Sequence, residues 1–346
     1  MRFTHFLAAV LISFMAVQSS AAQDSASVAS TTDARVKTLE AIVSKLPKIS
    51  GLVNLRYQYS TQETHNNNEN GFDVRRLYLN FNGNITPELS YRVQLDFAGT
   101  PQILDAYAEW KPCKYIGLQV GQFKVPYTLE NPYAIINLET ADYAQAVSAL
   151  IMETNGVKTR GRDVGIALNG SLFQKDGYNL IDYKVALLNG NGINVVDNNT
   201  TKDVVGTLWI NPMKPLSVSL SYYNGEFGAQ STKISHKISS LGVKYEDGKW
   251  LVRSEYITGK LNDVYAKGFY ISTACFVTKK LQPVLKYDYY QSDNSNSQSP
   301  VTNYSAGLNY WITKSTKLQL FYTFNDFKDP LKHNASYVVS QLLLTF

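Results

Sequence analysis

Apolar and polar residues alternate one by one along most of the chain, which is the period of a β-strand. Near the end, Val338, Leu342, Leu344 and Phe346 share one parity with a single interruption. Such a strand has one apolar face and one polar face. Over residues 49–346 the pattern predicts sixteen strands, each near the roughly 9–11 residues that a tilted membrane strand needs.

Short turns and longer polar loops alternate between these strands. Pro112–Cys113 and Asp247–Gly248 are short turns, whereas Asn189–Thr201 and Ser292–Pro300 are longer and polar. Barrels of the bacterial outer membrane have short turns on the periplasmic side and longer loops outside. We therefore predict an all-β fold, a transmembrane antiparallel β-barrel of about sixteen strands over residues 49–346.

The N-terminus has the layout of a secretory signal peptide. Arg2 supplies the basic region, Phe6–Val17 is a short apolar run, and Ser20–Ala22 offers a cleavage site of small residues. The apolar run is too short to span a bilayer as a helix. We therefore expect residues 1–22 to be a signal peptide that is cleaved during export.

A separate segment, residues 23–48, precedes the first strand. Its apolar residues are spaced by three, four and three, which is a short heptad pattern, and Pro47 ends it. We predict a periplasmic linker with a short helical segment. This segment either helps the chain form a homotrimer or packs as an amphipathic cap on the barrel mouth. The heptad residues are Val36, Leu39, Val43 and Leu46.

The last predicted strand, Ser336–Phe346, ends on an aromatic residue. It resembles the terminal strand of bacterial outer-membrane barrels, whose final Phe acts as an assembly signal. We therefore expect the protein to lie in the bacterial outer membrane, with membrane lipid and the outer-membrane assembly machinery as partners. We also expect this strand to close the barrel by pairing with the first strand, Ile49–Thr61.

Composition narrows the function classes further. The chain has 24 Tyr, 15 Phe and a mean hydropathy of −0.21, which a barrel with polar residues at alternate positions allows. A formal net charge of +5 does not by itself indicate a nucleic-acid partner. His65, His236 and His333 show neither a recognisable Ser/Asp arrangement nor a metal-ligand spacing. We expect no enzymatic activity, no metal, no cofactor and no nucleic acid.

One connection is much longer than the others. Residues 125–161 have little strand pattern and form the third long loop. A connection of this length is usually functional or disordered. General porins fold this loop into the lumen, and residues 125–161 resemble it in position and length. We expect a long, inward-folding loop that either constricts or plugs the lumen.

Strand parity places basic residues inside the barrel. Arg56, Arg76 and Arg92 come from three neighbouring strands and have the polar parity of each. Arginine stays charged, and its planar fork suits phosphate and carboxylate, so rings of Arg favour anions in pores. Acids share this wall, and the alternative is a structural basic wall that sets pore size and field. The acids are Asp96, Asp105 and Glu109.

One residue breaks the simple alternation. Arg75 has the lipid-facing parity of its strand, so it either snorkels to the interface or is turned inward by a β-bulge. In the fourth strand, alternation predicts that Leu104, Ala106, Ala108 and Trp110 face lipid.

Four motifs carry a family resemblance. Gly121–Glu130 reads GQFKVPYTLE, a glycine followed by an FK-x-P-[FY] run before the large loop. Asp73–Leu77, Asp105–Tyr107 and Gly161–Gly165 match further pieces. The chain resembles the phosphate-selective porin O and P family over most of its length after the signal peptide, most closely from Asp73 to Gly170.

The resemblance implies a central constriction that binds anions through an arginine pair, a lysine and an acid. By motif, Arg75, Arg76 and Lys124 correspond to these positions, with Asp105 or Asp96 as the acid. The chain departs from the family in its large loop, which lacks a common Glu-Arg pair, and in having only eight arginines after the signal peptide. The predicted pore-lining set is Arg56, Arg75, Arg76, Arg92, Lys124, Asp96, Asp105 and Glu109.

Together these patterns predict an outer-membrane porin for the passive diffusion of small solutes. The more specific prediction is a preference for anions such as phosphate. The alternative is a general or sugar-type porin with the same barrel and no anion preference. An outer-membrane enzyme and a plugged structural barrel are less favoured. The family resemblance and the heptad segment both favour a homotrimer.

Overall fold

The structure, a computed structural model, describes residues 35–36, 46–61, 70–154 and 157–346. The compact unit that contains the strands runs from Pro47 to Phe346. The predicted signal peptide lies outside the described residues, and so does most of the predicted heptad segment. No helix in the described ranges is long and apolar enough to cross a membrane.

The described residues form eighteen strands and three short helical turns. The turns are a 3₁₀ turn at Ile135–Asn137, an α-helical turn at Gln145–Val147 and a π-helical turn at Ser148–Met152. In chain order the strands are β1 (Lys48–Ser60), β2 (Asn70–Asn84), β3 (Leu89–Asp96), β4 (Gln102–Cys113), β5 (Ile116–Lys124), β6 (Glu153–Thr154), β7 (Val157–Lys158), β8 (Arg162–Lys175), β9 (Tyr178–Leu188), β10 (Asp203–Met213), β11 (Leu216–Phe227), β12 (Ile234–Glu246), β13 (Trp250–Leu261), β14 (Val264–Cys275), β15 (Leu281–Gln291), β16 (Pro300–Thr313), β17 (Thr316–Phe327) and β18 (Ala335–Thr345).

Sixteen of these strands close into one antiparallel barrel. Each pairs with the barrel strand before it and the one after it, so that β5 pairs with β8 and β18 returns to β1. The hairpin of β6 and β7 forms a separate two-stranded sheet within the long segment. The predicted barrel of about sixteen antiparallel strands is therefore confirmed, and each predicted strand corresponds to one barrel strand.

Burial along the strands alternates with the period of two that the sequence predicts. On β13, Arg253 and Glu255 are buried whereas Tyr256 is exposed, and on β15 Lys286 is buried whereas Leu285 is exposed. Charged side chains therefore face inward and apolar ones face outward, which is the reverse of a soluble barrel.

A β-bulge corrects the prediction that Leu104 faces lipid. Gln94 pairs with Asp105 while Leu95 pairs with Ile103, which leaves Leu104 as an extra residue in β4. The extra residue turns inward because a bulge interrupts the alternation of side chains. Leu104 is fully buried beside Leu52 of β1, so that prediction was wrong.

The first and last strands close the barrel with the help of a glycine. Gly51 and Phe346 exchange two backbone hydrogen bonds, of 2.9 and 3.2 Å between N and O. A Cβ at Gly51 would lie 2.3 Å from the Phe346 ring and 2.7 Å from the carbonyl oxygen of Tyr78. The missing side chain therefore makes room for the terminal ring at the seam.

Candidate functional site

A second bulge brings two neighbouring arginines to the same side of the wall. Asn54 of β1 pairs with Arg76, but Leu55 pairs with Val74, so Arg75 is an extra residue in β2. Its guanidinium reaches the long segment, where Nη1 donates to the carbonyl oxygen of Ala141 at 3.2 Å. Of the two alternatives for Arg75, the structure shows the inward-turning bulge.

A large cavity lies in the lumen beside this bulge and has a volume of about 890 Å³. It extends to Thr345 and Phe346, at the end of the barrel with the short turns. Of the described residues that line it, seven are Arg or Lys and one, Asp105, is acidic. We call it the inner cavity, and its cations are Arg75, Arg76, Arg92, Lys124, Arg160, Arg162 and Lys184.

Most of the arginines of the chain after the predicted signal peptide are gathered in the inner cavity. Only eight arginines follow the predicted signal peptide, and five of them line this one cavity. They come from β2, β3, the end of the long segment and the start of β8. Packing like charges together is unfavourable without compensating groups, so the partners of each cation decide what the cavity attracts.

Asp105 holds two of the arginines in place. Its Oδ2 accepts from Arg92 Nε at 3.0 Å, and its Oδ1 accepts from Arg162 Nε at 2.7 Å. Arg162 also donates through Nη2 to Gln94 Oε1 at 2.9 Å. Charge-assisted bonds of this kind fix the plane of a guanidinium. One carboxylate thus orients two guanidinium groups and neutralises only one charge.

Two further arginines pair with acids at the edge of the cavity. Arg160 Nη1 donates to Asp96 Oδ2, and Arg75 Nη2 donates to Asp142 Oδ1. Asp96 also accepts backbone N–H groups, including that of Leu77 at 3.2 Å, and is fully buried. Asp96 therefore anchors the backbone and Arg160, and it is absent from the described lining of the cavity.

Three cations have no acidic partner in the described part of the chain. Lys124 Nζ donates to the carbonyl oxygens of Asn131 and Tyr133 at 2.9 and 2.6 Å. Lys184 Nζ donates to a Gln119 oxygen, and Arg76 Nη1 is buried without a hydrogen-bond partner among the described residues. The inner cavity therefore has an excess of positive charge, and such groups of Arg and Lys favour anions.

The long segment attaches to the opposite wall through buried charges. Glu139 Oε2 lies 3.3 Å from Arg253 Nη2, and Glu130 Oε1 lies 3.7 Å from Lys286 Nζ. The backbone N–H of Leu129 donates to a Glu255 oxygen at 3.1 Å. Ion pairs this deeply buried hold the segment against β13 and β15, because breaking one would leave an uncompensated charge buried away from water.

Burial and charge shift the pKa values of these two segment carboxyls in opposite directions. Burial raises the pKa of Glu130, although Lys286 and Arg253 act to lower it. For Glu139, the effect of burial is outweighed by Arg253 and by a hydrogen bond from the Ser272 hydroxyl, so its pKa is lowered. Glu139 is thus the stronger of the two ionic attachments.

Apolar side chains complete the attachment of the segment. Tyr127, Val147 and Leu150 are buried in one cluster with inward-facing residues of several strands, among them Ile238 and Ile257. A porin-like lumen is otherwise polar, so these inward apolar residues mark where the segment covers the wall.

A second, smaller cavity lies on the other side of the segment. It has a volume of about 370 Å³ and is lined by Arg56, Asp142, Asn325 and Tyr337, toward the end of the barrel with the long loops. Tyr143 lines both cavities. We call this one the outer cavity.

The structure thus divides the predicted pore-lining set. Arg75, Arg76, Arg92, Lys124 and Asp105 meet in the inner cavity. The other three lie elsewhere. Arg56 lines the outer cavity and pairs with Asp73 at 2.5 Å. Asp96 forms an ion pair with Arg160, and Glu109 accepts a hydrogen bond from Asn169 at 3.0 Å.

The pattern of the sequence did not identify three cations that line the inner cavity, namely Arg160, Arg162 and Lys184. Lys184 has the inward parity of β9, two residues before buried Ala186, so strand alternation alone would have found it. Arg162 lies in the Gly161–Gly165 motif and Arg160 directly precedes it, but no alternating pattern precedes β8 to orient these two side chains. Asp142, which reaches Arg75 from the long segment, had no sequence signal at all.

A family model for "Phosphate-selective porin O and P" matches residues 48–249, more than half of the chain. The chain belongs to this family. The match includes β1 to β5, the whole long segment, and β8 to β10. This porin therefore carries the family's pattern across all the described lining of the inner cavity except Thr345 and Phe346. The family resemblance predicted from the sequence is confirmed.

Solved structures show the same fold at low sequence identity. The anion-selective porin from Comamonas acidovorans is 13% identical, with a TM-score of 0.69 and coverage of 87% of this chain and 99% of that one. The outer membrane channel DcaP of Acinetobacter baumannii is 14% identical, with a TM-score of 0.65 and coverage of 87% and 97%. OmpT of Vibrio cholerae in its trimer form is 12% identical, with a TM-score of 0.61 and coverage of 87% and 99%.

No curated protein sequence matches this chain significantly. Family and fold together identify the protein as an outer-membrane porin, and they point to a channel rather than an enzyme. The short turns then lie on the periplasmic side, and the inner cavity opens toward that side.

Proposed function

We propose that this porin conducts small anions, with phosphate the solute that the family implies, by passive diffusion through the inner cavity. The observation that carries the proposal is the lining, in which seven cations face one acid among the described residues. The planar arginine forks that Asp105 already orients suit an anion of matching geometry.

We further propose that residues 125–161 narrow the lumen instead of plugging it. Two attachments support this: Arg75 with Asp142 on one wall, and Arg253 with Glu139 on the other. Cavities remain on both sides of the segment, and Tyr143 lines both. A solute path between the two cavities would pass the cations of β2 and β5.

The test is the reversal potential of single channels in a KCl gradient across a planar bilayer. We expect anion preference in the wild-type porin, and loss of most of it when Arg76 and Lys124 are both changed to Gln. Lys202→Gln serves as the control, because Lys202 lies in a loop and pairs with Asp197. A wild-type reversal potential at zero, or of cation sign, would support a general or sugar-type porin and refute the anion proposal.

The assembly and export of the porin are proposals as well. We propose a homotrimer, supported by the trimer form of one porin of the same fold and by the heptad pattern of residues 36–46. We also propose cleavage after residue 22, a periplasmic linker over residues 23–48, and delivery to the assembly machinery through β18. A monomeric mass after correction for bound detergent would refute the trimer.

A further inference from the structure

The boundary between the inner and outer cavities is a contact between the bulge in β2 and the long segment. Arg75 lines the inner cavity, whereas Ala141 and Asp142 line the outer one. Arg75 bonds to both: Nη2 donates to Asp142 Oδ1, and Nη1 donates to the carbonyl oxygen of Ala141 at 3.2 Å. A guanidinium of the wall thus holds a carboxylate of the segment where the two cavities meet.

Asp142 is in an environment suited to a free anion. Desolvation inside the barrel acts to raise its pKa, but Arg75 outweighs this, with further contributions from Arg76 and Arg56, so the pKa lies below its usual range. Three guanidinium groups therefore act on one carboxylate. A phosphate or a carboxylate solute would seek the same charge-assisted bonds.

The two partners differ in their access to water. The Asp142 side chain is 54% exposed, whereas that of Arg75 is 18% exposed. An anion in the outer cavity can therefore reach the Asp142 side of the pair without unfolding the wall. Beside the pair, Arg76 has a buried Nη1 without a hydrogen-bond partner among the described residues, which leaves a donor for an incoming oxygen.

From this geometry we infer that Asp142 is a built-in competing anion at the Arg75–Arg76 pair, which a permeating anion displaces as it passes between the two cavities. Asp142 is then a specificity-determining residue, because it sets how tightly the pore holds an anion. The inference rests on the proposed function and deepens it. A pore that held phosphate too tightly would release it slowly, and a tethered competitor weakens the binding without removing the cations.

Phosphate block of the chloride current measures this competition. Chloride current through single wild-type channels is recorded while inorganic phosphate is added, and the half-blocking phosphate concentration is determined. Asp142→Asn removes the competing charge and keeps the side-chain size. We expect it to lower the half-blocking concentration roughly tenfold, the scale of one charge-assisted hydrogen bond.

A matched control separates competition from a general change in pore charge. Asp73→Asn makes the same charge change on β2, the strand that carries Arg75. Asp73, however, pairs with Arg56 and is absent from the described linings of both cavities. We expect it to change the half-blocking concentration less than about threefold. Asp142→Glu keeps the charge and should remain close to the wild type.

The outcomes distinguish a failure of the inference about Asp142 from a failure of the proposed anion porin. Equal shifts in Asp142→Asn and Asp73→Asn, or no shift in Asp142→Asn, overturn the inference while leaving the anion porin intact. A wild-type channel without anion preference overturns the proposed function, and with it the inference, which rests on that function. The electrophoretic mobility shift of the folded barrel confirms that each variant has folded before it is recorded.

Discussion

Asp105 is the residue on which the geometry of the inner cavity depends most. It accepts from Arg92 and Arg162 at once, and its side chain and that of Arg162 are each only 6% exposed. Without it, two guanidinium groups would face each other and the uncompensated Lys124. The carboxylate thus keeps a dense group of cations compatible with a folded wall.

We predict that Asp105→Asn lowers the free energy of unfolding by about 3 kcal/mol, because removing one partner of a buried ion pair leaves a charge uncompensated. Urea titration of the porin in lipid, followed by gel mobility, measures the loss. The control is Glu109→Gln, since Glu109 accepts from Asn169 and pairs with no cation in the described ranges. Losses of equal size would show that Asp105 has no special role.

At the scale of elements, the long segment is held between two walls by attachments of different strength. Glu139 contacts Arg253 and the Ser272 hydroxyl, and its pKa is lowered. Glu130 contacts Lys286, and burial keeps its pKa raised. A lowered pKa means that the folded state favours the charged carboxylate. That stabilisation is present above the unfolded value and is lost as pH falls through the folded one.

We therefore predict that single-channel current stays steady from neutral pH down to about pH 4, and becomes larger and noisier below it as Glu139 takes up a proton and releases the segment. Glu139→Gln should show the noisy current already at pH 7. Glu130→Gln should not, because its carboxyl stabilises the folded state less. Identical currents in the two variants, recorded over this pH range, would contradict the ranking.

At the scale of the whole molecule, the barrel exists only once β1 and β18 pair, because every backbone polar group in the membrane needs a partner. Nine residue pairs join these two strands, from Leu52 with Thr345 to Ser60 with Tyr337. Gly51 extends the seam by letting the Phe346 ring lie across it. Closure therefore depends on a contact between the two ends of the barrel sequence.

We predict that Gly51→Val lowers barrel stability by roughly 1–3 kcal/mol and slows folding into lipid, because its side chain would overlap the Phe346 ring and the Tyr78 carbonyl. Gly71→Val is the matched control, since a Cβ at Gly71 meets no atom within 4 Å. The fraction of heat-modifiable, folded barrel over time after dilution into vesicles measures both. Equal folding rates for the two variants would exclude the proposed role of Gly51.

The sequence by itself determined the strands, their number, their inward and outward faces away from the two bulges, and the family. These properties follow from a local rule, since side chains alternate with period two and a membrane wall must be apolar outside. The same rule placed Arg76, Arg92 and Asp105 inside the barrel. It also sufficed to place Lys184, although that residue was missed.

The tertiary structure decided which charges meet. Two bulges, at Arg75 and Leu104, depend on the register with the neighbouring strand, which no single strand encodes. The contact of Arg75 with Asp142 joins positions 67 residues apart through the fold of the long segment. Local alternation fixes the direction of each side chain, whereas partners and cavities arise from long-range packing, and so only the folded barrel shows one carboxylate of the segment held among the arginines of the wall.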